Sequence, residues 1–345
     1  IHHGLSRHAS SQELSGFDVV ITAYSLLSRD RDMWLEVPWH LLVLDEAQNI
    51  KNANTNAAQV VSEIPAVHRL CLSGTPIENH LGELWSQFHF LMPGFLGSQR
   101  RFTELFRNPI ERQGNSEKMD QLRARITPFM LRRTKDLVAS ELPPKIETLM
   151  PVSLQGQQAD LYETIRLGME KTVRDALQTQ GLAKSQITIL DALLKLRQVC
   201  CDPRLLKLSA ASQVRESAKL EQLLDMLPEM VAEGRKILLF SQFTEMLGLI
   251  EKALPALGVS WVKLTGQSKN RDKIIDQFTS GQVPLFLISL KAGGLGLNLP
   301  QADTVIHYDP WWNPAVENQA TDRAYRIGQT QSVWVLKLVA QGTIE

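Results

Sequence analysis

Short apolar runs of four to six residues, each stopping abruptly at small or charged polar residues, limit the fold of this sequence more than any other feature. FDVVITAY, LLVLDEAQ and HRLCLSGTP fall in the first 128 residues, while KILLFSQF, VSWVKLTG, PLFLISL, DTVIHYD and VWVLKLV follow residue 216. Helical patterns at 217–231, 245–257 and 271–278 separate the later runs. Apolar strands alternating with helices predict a parallel sheet covered on both faces.

The middle of the chain has another texture. Residues 129–215 are charged and mostly helical in pattern, with periodic stretches at 155–177 and 187–200 and a break at Pro143–Pro144. The predicted organisation is an α/β protein with parallel-sheet units at 1–128 and 216–345 and a helical insertion and linker at 129–215. At 345 residues and 43% apolar, the chain is long enough for two cores. Lys plus Arg equals Asp plus Glu, 37 each, which argues against a uniformly basic nucleic-acid binder but leaves room for a local basic groove. The three cysteines include no CxxC pair, which argues against a tetrahedral metal site or a disulfide framework. They read as reduced thiols of a cytoplasmic protein. No apolar run reaches the length of a membrane span.

Candidate chemistry sits where the apolar runs end. Asp45 and Glu46 follow Leu41–Leu44 at once, at the carboxyl edge of a sheet, where open α/β folds place ligands. Asp45 can hold magnesium there and Glu46 can orient an attacking water; a solvated turn is the alternative. Leu70–Leu72 read as a second buried strand. The Ser73, Gly74 and Thr75 turn that follows either relays the state of a bound phosphate or bonds to its own backbone. In NPAVENQATDRAYRIGQ, Asn313 suits an N-cap, Pro314 the first helical turn and Gly328 the position past the end. On that helix Val316, Ala320, Ala324 and Ile327 form an apolar stripe, and Gln319, Arg323 and Arg326 share an adjacent face. Arginines one turn apart repel mildly, which an anionic ligand would offset; a solvated basic stripe is the alternative. Lys291 precedes Gly293, Gly294 and Gly296, and glycine lets backbone amides approach a phosphate closely. Of Trp311 and Trp312, one suits the core and the other could stack on a sugar or base. Ser241 and Gln242 end KILLFSQF, as a contact to nucleic-acid phosphate or as an ordinary turn.

Taken together and in order, these segments resemble the Swi/Snf family of superfamily-two ATPases over nearly the whole chain. The likeness is carried by DEAQ at 45–48, SGTPIEN at 73–79, LRRTK at 131–135, ELPPK at 141–145 and LRQVCCDP at 196–203. It continues with ILLFSQF at 237–243, LKAGGLGLNL at 290–299, HYDPWWNPAVENQATDRAYRIGQ at 307–329 and GTIE at 342–345. The resemblance implies two RecA-like lobes with a helical insertion between them, and ATP with magnesium in the cleft. It implies Asp45 and Glu46 as the magnesium- and water-directed carboxylates and Arg323 and Arg326 as ligands of the γ-phosphate. Gln48, Ser73, Thr75, Gly294, Gly296 and Gln319 would bind or couple ATP. Duplex DNA would be touched by Thr22, Ser241, Gln242, Lys291 and Trp311. Such a motor moves along duplex DNA or displaces bound protein, RNA polymerase among the candidates. The expected location is a bacterial cytoplasm, at the nucleoid. The rival readings are an RNA helicase, which the DPWWNP segment and the insertion argue against, and a non-catalytic scaffold gripping DNA or RNA polymerase. Gln48 and Tyr325 stand where family members often carry His. No GxxxxGKS/T phosphate loop occurs in the 345 residues, so the chain is expected to be truncated at both ends and inactive alone.

Overall fold

Seven of the eight apolar runs supply strands to two parallel sheets. β1 (Trp39–Leu44) pairs with β2 (Ala66–Cys71) in the first. The second contains β3 (Lys145–Ser153), β4 (Ile237–Ser241), β5 (Trp261–Leu264), β6 (Leu285–Ser289), β7 (Thr304–His307) and β8 (Val333–Gln341). Their spatial order is β3-β8-β7-β4-β6-β5, with every neighbouring pair parallel. This computed structural model describes residues 1–345 except 3–6, 9, 75, 76, 78, 79, 134–138, 140, 209, 210, 212, 294 and 295, and the side chains at 180, 182, 183 and 293. The chain separates into two compact units, Ile1–Arg133 and Thr134–Glu345.

In the second unit all five apolar runs after residue 216 are strands. The central ones are buried on both faces. Leu239, Leu287 and Ile306 pack with Leu223, Leu227 and Ile250, while Phe240, Phe286 and Val305 pack with Phe278, Ala320 and Ala324. Double coverage is why these strands are continuously apolar rather than alternating. The intervening helices run Ala218–Ala232, Thr244–Ala253 and Arg271–Thr279. The two periodic stretches of the middle region join as one element, Gly156–Cys201, broken at Gly181 by non-helical angles (φ 73°, ψ 169°).

β3 lies inside the stretch that reads as helical. Its sequence, KIETLMPVS, has no continuous apolar run, because an edge strand is only half covered. An edge also tolerates Pro151, whose missing N–H breaks no ladder bond on the outer side.

The first unit departs from the expectation of doubly covered strands. Leu44 and its neighbours pack against the helices Asn56–Glu63 and Leu81–Leu91 through Ala58, Val61 and Phe90. The opposite face is open: Leu41 is 49% exposed, Leu70 44% and Leu72 46%. Leu70–Leu72 is therefore not a buried strand in this chain. Among the described residues FDVVITAY forms no strand, and its one ladder contact is an isolated parallel bridge from Thr22 to His2. Beside it, Val19, Ile21, Leu41 and Val43 line an apolar groove of 510 Å³.

Candidate functional site

Asp45 follows the last residue of β1, as the apolar run requires, and is exposed. Its Oδ1 accepts the Glu46 N–H at 3.0 Å. Glu46 then adopts left-handed backbone angles (φ 49°, ψ 54°). A non-glycine residue there is strained by about 1–2 kcal/mol, and such strain persists only where surrounding bonds over-determine it. Those bonds are present. Asn49 Nδ2 donates to the Glu46 carbonyl at 2.8 Å, and Gln48 Nε2 donates to Glu46 Oε2 at 2.7 Å. Ser73 Oγ in turn donates to Gln48 Oε1 at 2.8 Å. A hydrogen-bonded chain thus joins the carboxylate after β1 to the turn after β2. Tyr24 Oη donates to the Asp45 carbonyl at 2.8 Å; burial, with Cys71, Asp45 and Glu46 nearby, raises its phenol and keeps it protonated.

Among the described residues no group of three or more His, Cys, Asp or Glu side chains gathers. A magnesium ion would rest on Asp45 with water and phosphate oxygens completing its shell. The donor is a hard, exposed carboxylate oxygen, which fits that ion. Thr75, expected beside Ser73, lies outside the described residues, as does Gly294.

The second cluster differs from its expectation in shape. Asn313 caps the helix, its Oδ1 accepting the Ala315 N–H at 3.0 Å, and Pro314 occupies the first turn. The helix ends at Thr321, however, not at residue 327. Arg323 and Arg326 therefore lie in the turns that follow, not on one helical face with Gln319, and Ile327 is 76% exposed rather than part of an apolar stripe. The turns bring the two arginines together by another route. Arg323 Nη1 and Arg326 Nη1 both donate to the Leu297 carbonyl, at 3.5 and 3.2 Å. Leu297 follows Gly296, whose φ of 66° favours glycine. The two guanidinium groups thus sit against the glycine-containing loop after β6, in one unit of the chain.

The third cluster lies at the end of β4. Ser241 is buried, and its hydroxyl donates to Asp309 Oδ1 at 2.5 Å. This corrects its expected contact with nucleic acid: the hydroxyl points inward and is occupied. Asp309 Oδ2 accepts the Gln242 N–H at 3.1 Å, and burial pushes the Asp309 carboxyl up against the opposing pull of the Ser241 hydroxyl and Lys219. Gln242 is the more exposed of the pair, beside the helix Thr244–Ala253, whose first turn has no side-chain cap. Trp311 is half-buried, and its backbone N–H donates to Glu317 Oε2 at 3.0 Å; Trp312, 56% exposed, presents the more open ring. Lys291 is exposed on the short helix Leu290–Gly293. Thr22, in the first unit, donates its hydroxyl to the His2 carbonyl at 3.1 Å.

Several site-building residues carried no role in the sequence reading. Arg197, Asp309 and Glu317 are buried polar groups that hold the Trp311 loop. All three lie within the quoted LRQVCCDP and DPWWNPAVEN segments, so the motifs themselves were the available signal.

Comparisons with known proteins bear on the family and the fold. Residues 1–205 match the SNF2-related domain and residues 218–328 the helicase conserved C-terminal domain. YwqA of Bacillus subtilis, named as a candidate ATP-dependent helicase/translocase, is 40% identical over 335 residues, covering 95% of this chain and 36% of that protein. The human SWI/SNF-related matrix-associated actin-dependent regulator of chromatin subfamily A member 1 is 34% identical, covering 95% of this chain and 32% of that one. The chain thus spans about a third of the length of these relatives. The Sulfolobus solfataricus SWI2/SNF2 ATPase core solved in complex with dsDNA is 38% identical, covering 98% of this chain and 72% of that one with a TM-score of 0.51. With two RecA-like parallel-sheet lobes and both domain matches in sequence order, this chain belongs to the Swi/Snf family.

Proposed function

We propose that this chain forms part of an ATP-driven translocase acting on double-stranded DNA. The observation that carries the reading is the chain Glu46–Gln48–Ser73, which ties a carboxylate poised for water to a second strand-end turn. Asp45 is the residue to hold magnesium, and Glu46 the one to orient the attacking water. Arg323 and Arg326 are the groups to meet charge developing on the transferring phosphoryl group. Arginines in that role contribute about 10³–10⁵ in rate. Magnesium, when bound, neutralises phosphate charge and polarises the γ-phosphate.

Duplex DNA is proposed to meet the second unit at Gln242, Lys291 and Trp312. An uncapped helix start, an amide and a lysine suit phosphate oxygens and carry no base readout. The dsDNA bound to the Sulfolobus core supports duplex as the substrate. A DNA-bound protein such as RNA polymerase is the proposed object of displacement, in a cytoplasmic setting. The 345 residues contain no GxxxxGKS/T run to hold the β-phosphate, so the chain alone is proposed not to turn over ATP. The test is ATP hydrolysis by a version of the chain extended to include such a loop, with duplex DNA, single-stranded DNA and RNA compared. Stimulation by duplex DNA supports the reading, and stimulation by RNA alone overturns it.

A further inference from the structure

Arg197 lies in the Gly156–Cys201 element and is 5% exposed. Its Nη1 donates to Gln242 Oε1 at 3.1 Å and its Nη2 to the Pro310 carbonyl at 2.5 Å. The guanidinium also lies over both indoles, 5.2 Å from the Trp311 ring and 5.5 Å from that of Trp312. One side chain thus grips two loops that stand 45 and 113 residues further along the chain.

We propose that Arg197 is a positioning residue for duplex-DNA binding, setting the Gln242 amide and the Trp311–Trp312 pair for contact. The proposal rests on the DNA-translocase reading and deepens it.

Burying a guanidinium is unfavourable, and an aliphatic side chain would fill the same space without that desolvation. What the guanidinium adds is direction. A glutamine amide has one acceptor and one donor end. With Oε1 taken by Arg197, the Gln242 donor end must face away, and Nε2 is buried with no hydrogen-bond partner among the described residues, a donor left unsatisfied until a ligand oxygen reaches it. Gln242 lines a groove of 540 Å³ with Lys207, Thr244, Glu245 and the Lys195–Asp191 ion pair (2.7 Å), so what the groove offers a phosphate oxygen is the Lys207 ammonium and the Thr244 hydroxyl rather than a net positive charge. The Pro310 bond and the two ring contacts hold the tryptophan loop beside it. On its far side Glu317 accepts the backbone N–H of Trp311 and pairs with Lys337 at 2.7 Å.

The experiment is a double-mutant cycle on the full 345-residue chain with Arg197→Gln, Gln242→Met and both together. Binding of a short fluorescein-labelled duplex is followed by anisotropy across a salt series, with acrylamide quenching of tryptophan emission and thermal unfolding in parallel. Each single change is expected to weaken binding about tenfold or more, the double being no weaker than the weaker single. Arg197→Gln is expected to raise quenching and to leave the salt slope unchanged. Additive losses, unchanged affinity or unchanged quenching would each overturn the proposal. A salt slope reduced by about 0.9 would also overturn it, by making Arg197 a direct phosphate ligand. If Arg197→Gln does not fold, Arg197→Lys, which keeps the charge and loses the fork, takes its place under the same criteria. Failure of the wild type to bind duplex sinks the translocase reading and this proposal with it, while unaltered quenching in a variant that binds weakly sinks the proposal alone.

Discussion

Ser241 donates its hydroxyl to the buried carboxylate of Asp309 across 2.5 Å. The bond joins the end of β4 to the loop that carries Trp311 and makes Ser241 a structural residue. Ser241→Ala leaves a buried carboxylate short of one donor. It is expected to destabilise the second unit by about 1–3 kcal/mol, read as a lower urea midpoint. The salt slope of duplex binding is expected to match the wild type, because no surface group is lost.

Hydrolysis should depend on the carboxylate of Glu46 and not on its volume. In a version of the chain extended to include a phosphate-binding loop, Glu46→Gln is expected to cut duplex-stimulated turnover by about 10²–10⁴. ATP binding should persist, because the group acts on water. Phosphate release and equilibrium nucleotide binding measured together check this, and equal loss of both would reassign Glu46. The 345-residue chain itself is expected to show no duplex-stimulated phosphate release.

His307 predicts acid sensitivity of the second sheet. Burial drives its imidazole from the ordinary 6.5 down to about 4, with Glu317 opposing and Lys337 assisting. Between those values the unfolded chain binds a proton that the folded chain refuses. Stability is therefore intact above about pH 6.5 and is lost as pH falls toward 4, by up to about 3 kcal/mol. Hydrogen-exchange protection of Thr304–His307, corrected for intrinsic rates, should fall across that window, and His307→Gln should flatten the fall.

Lys219 and Glu345 form an ion pair at 2.5 Å with both side chains essentially inaccessible. Lys219 also donates to the Tyr308 carbonyl at 3.1 Å. Glu345→Gln alone leaves a buried ammonium uncompensated and is expected to destabilise by about 3–5 kcal/mol. Lys219→Met combined with Glu345→Leu should recover most of that loss in thermal unfolding.

The second sheet was legible from its sequence because continuous apolar runs have few other uses. β3 was not, because an edge strand needs no such run, and KIETLMPVS mixes polar and apolar residues. The strand-end carboxylates followed directly from where an apolar run stops. The arginine cluster was legible in composition but not in shape: the Asn313 cap marks where a helix begins, while its end at Thr321 depends on packing that no local pattern encodes. The open face of β1 was hidden for a related reason. LLVL reads the same whether or not a partner covers it. LRQVCCDP marked the place of Arg197 but not its role, which comes from contacts far along the chain and not from spacing.

The uncovered face of the first sheet bears on handling. Leu41, Val43, Leu70 and Leu72 offer a greasy surface in a molecule whose formal net charge is zero, so little electrostatic repulsion keeps copies apart. Purified chain should self-associate as ammonium sulfate is added at neutral pH, and Leu41→Lys with Leu70→Glu should delay the onset of turbidity.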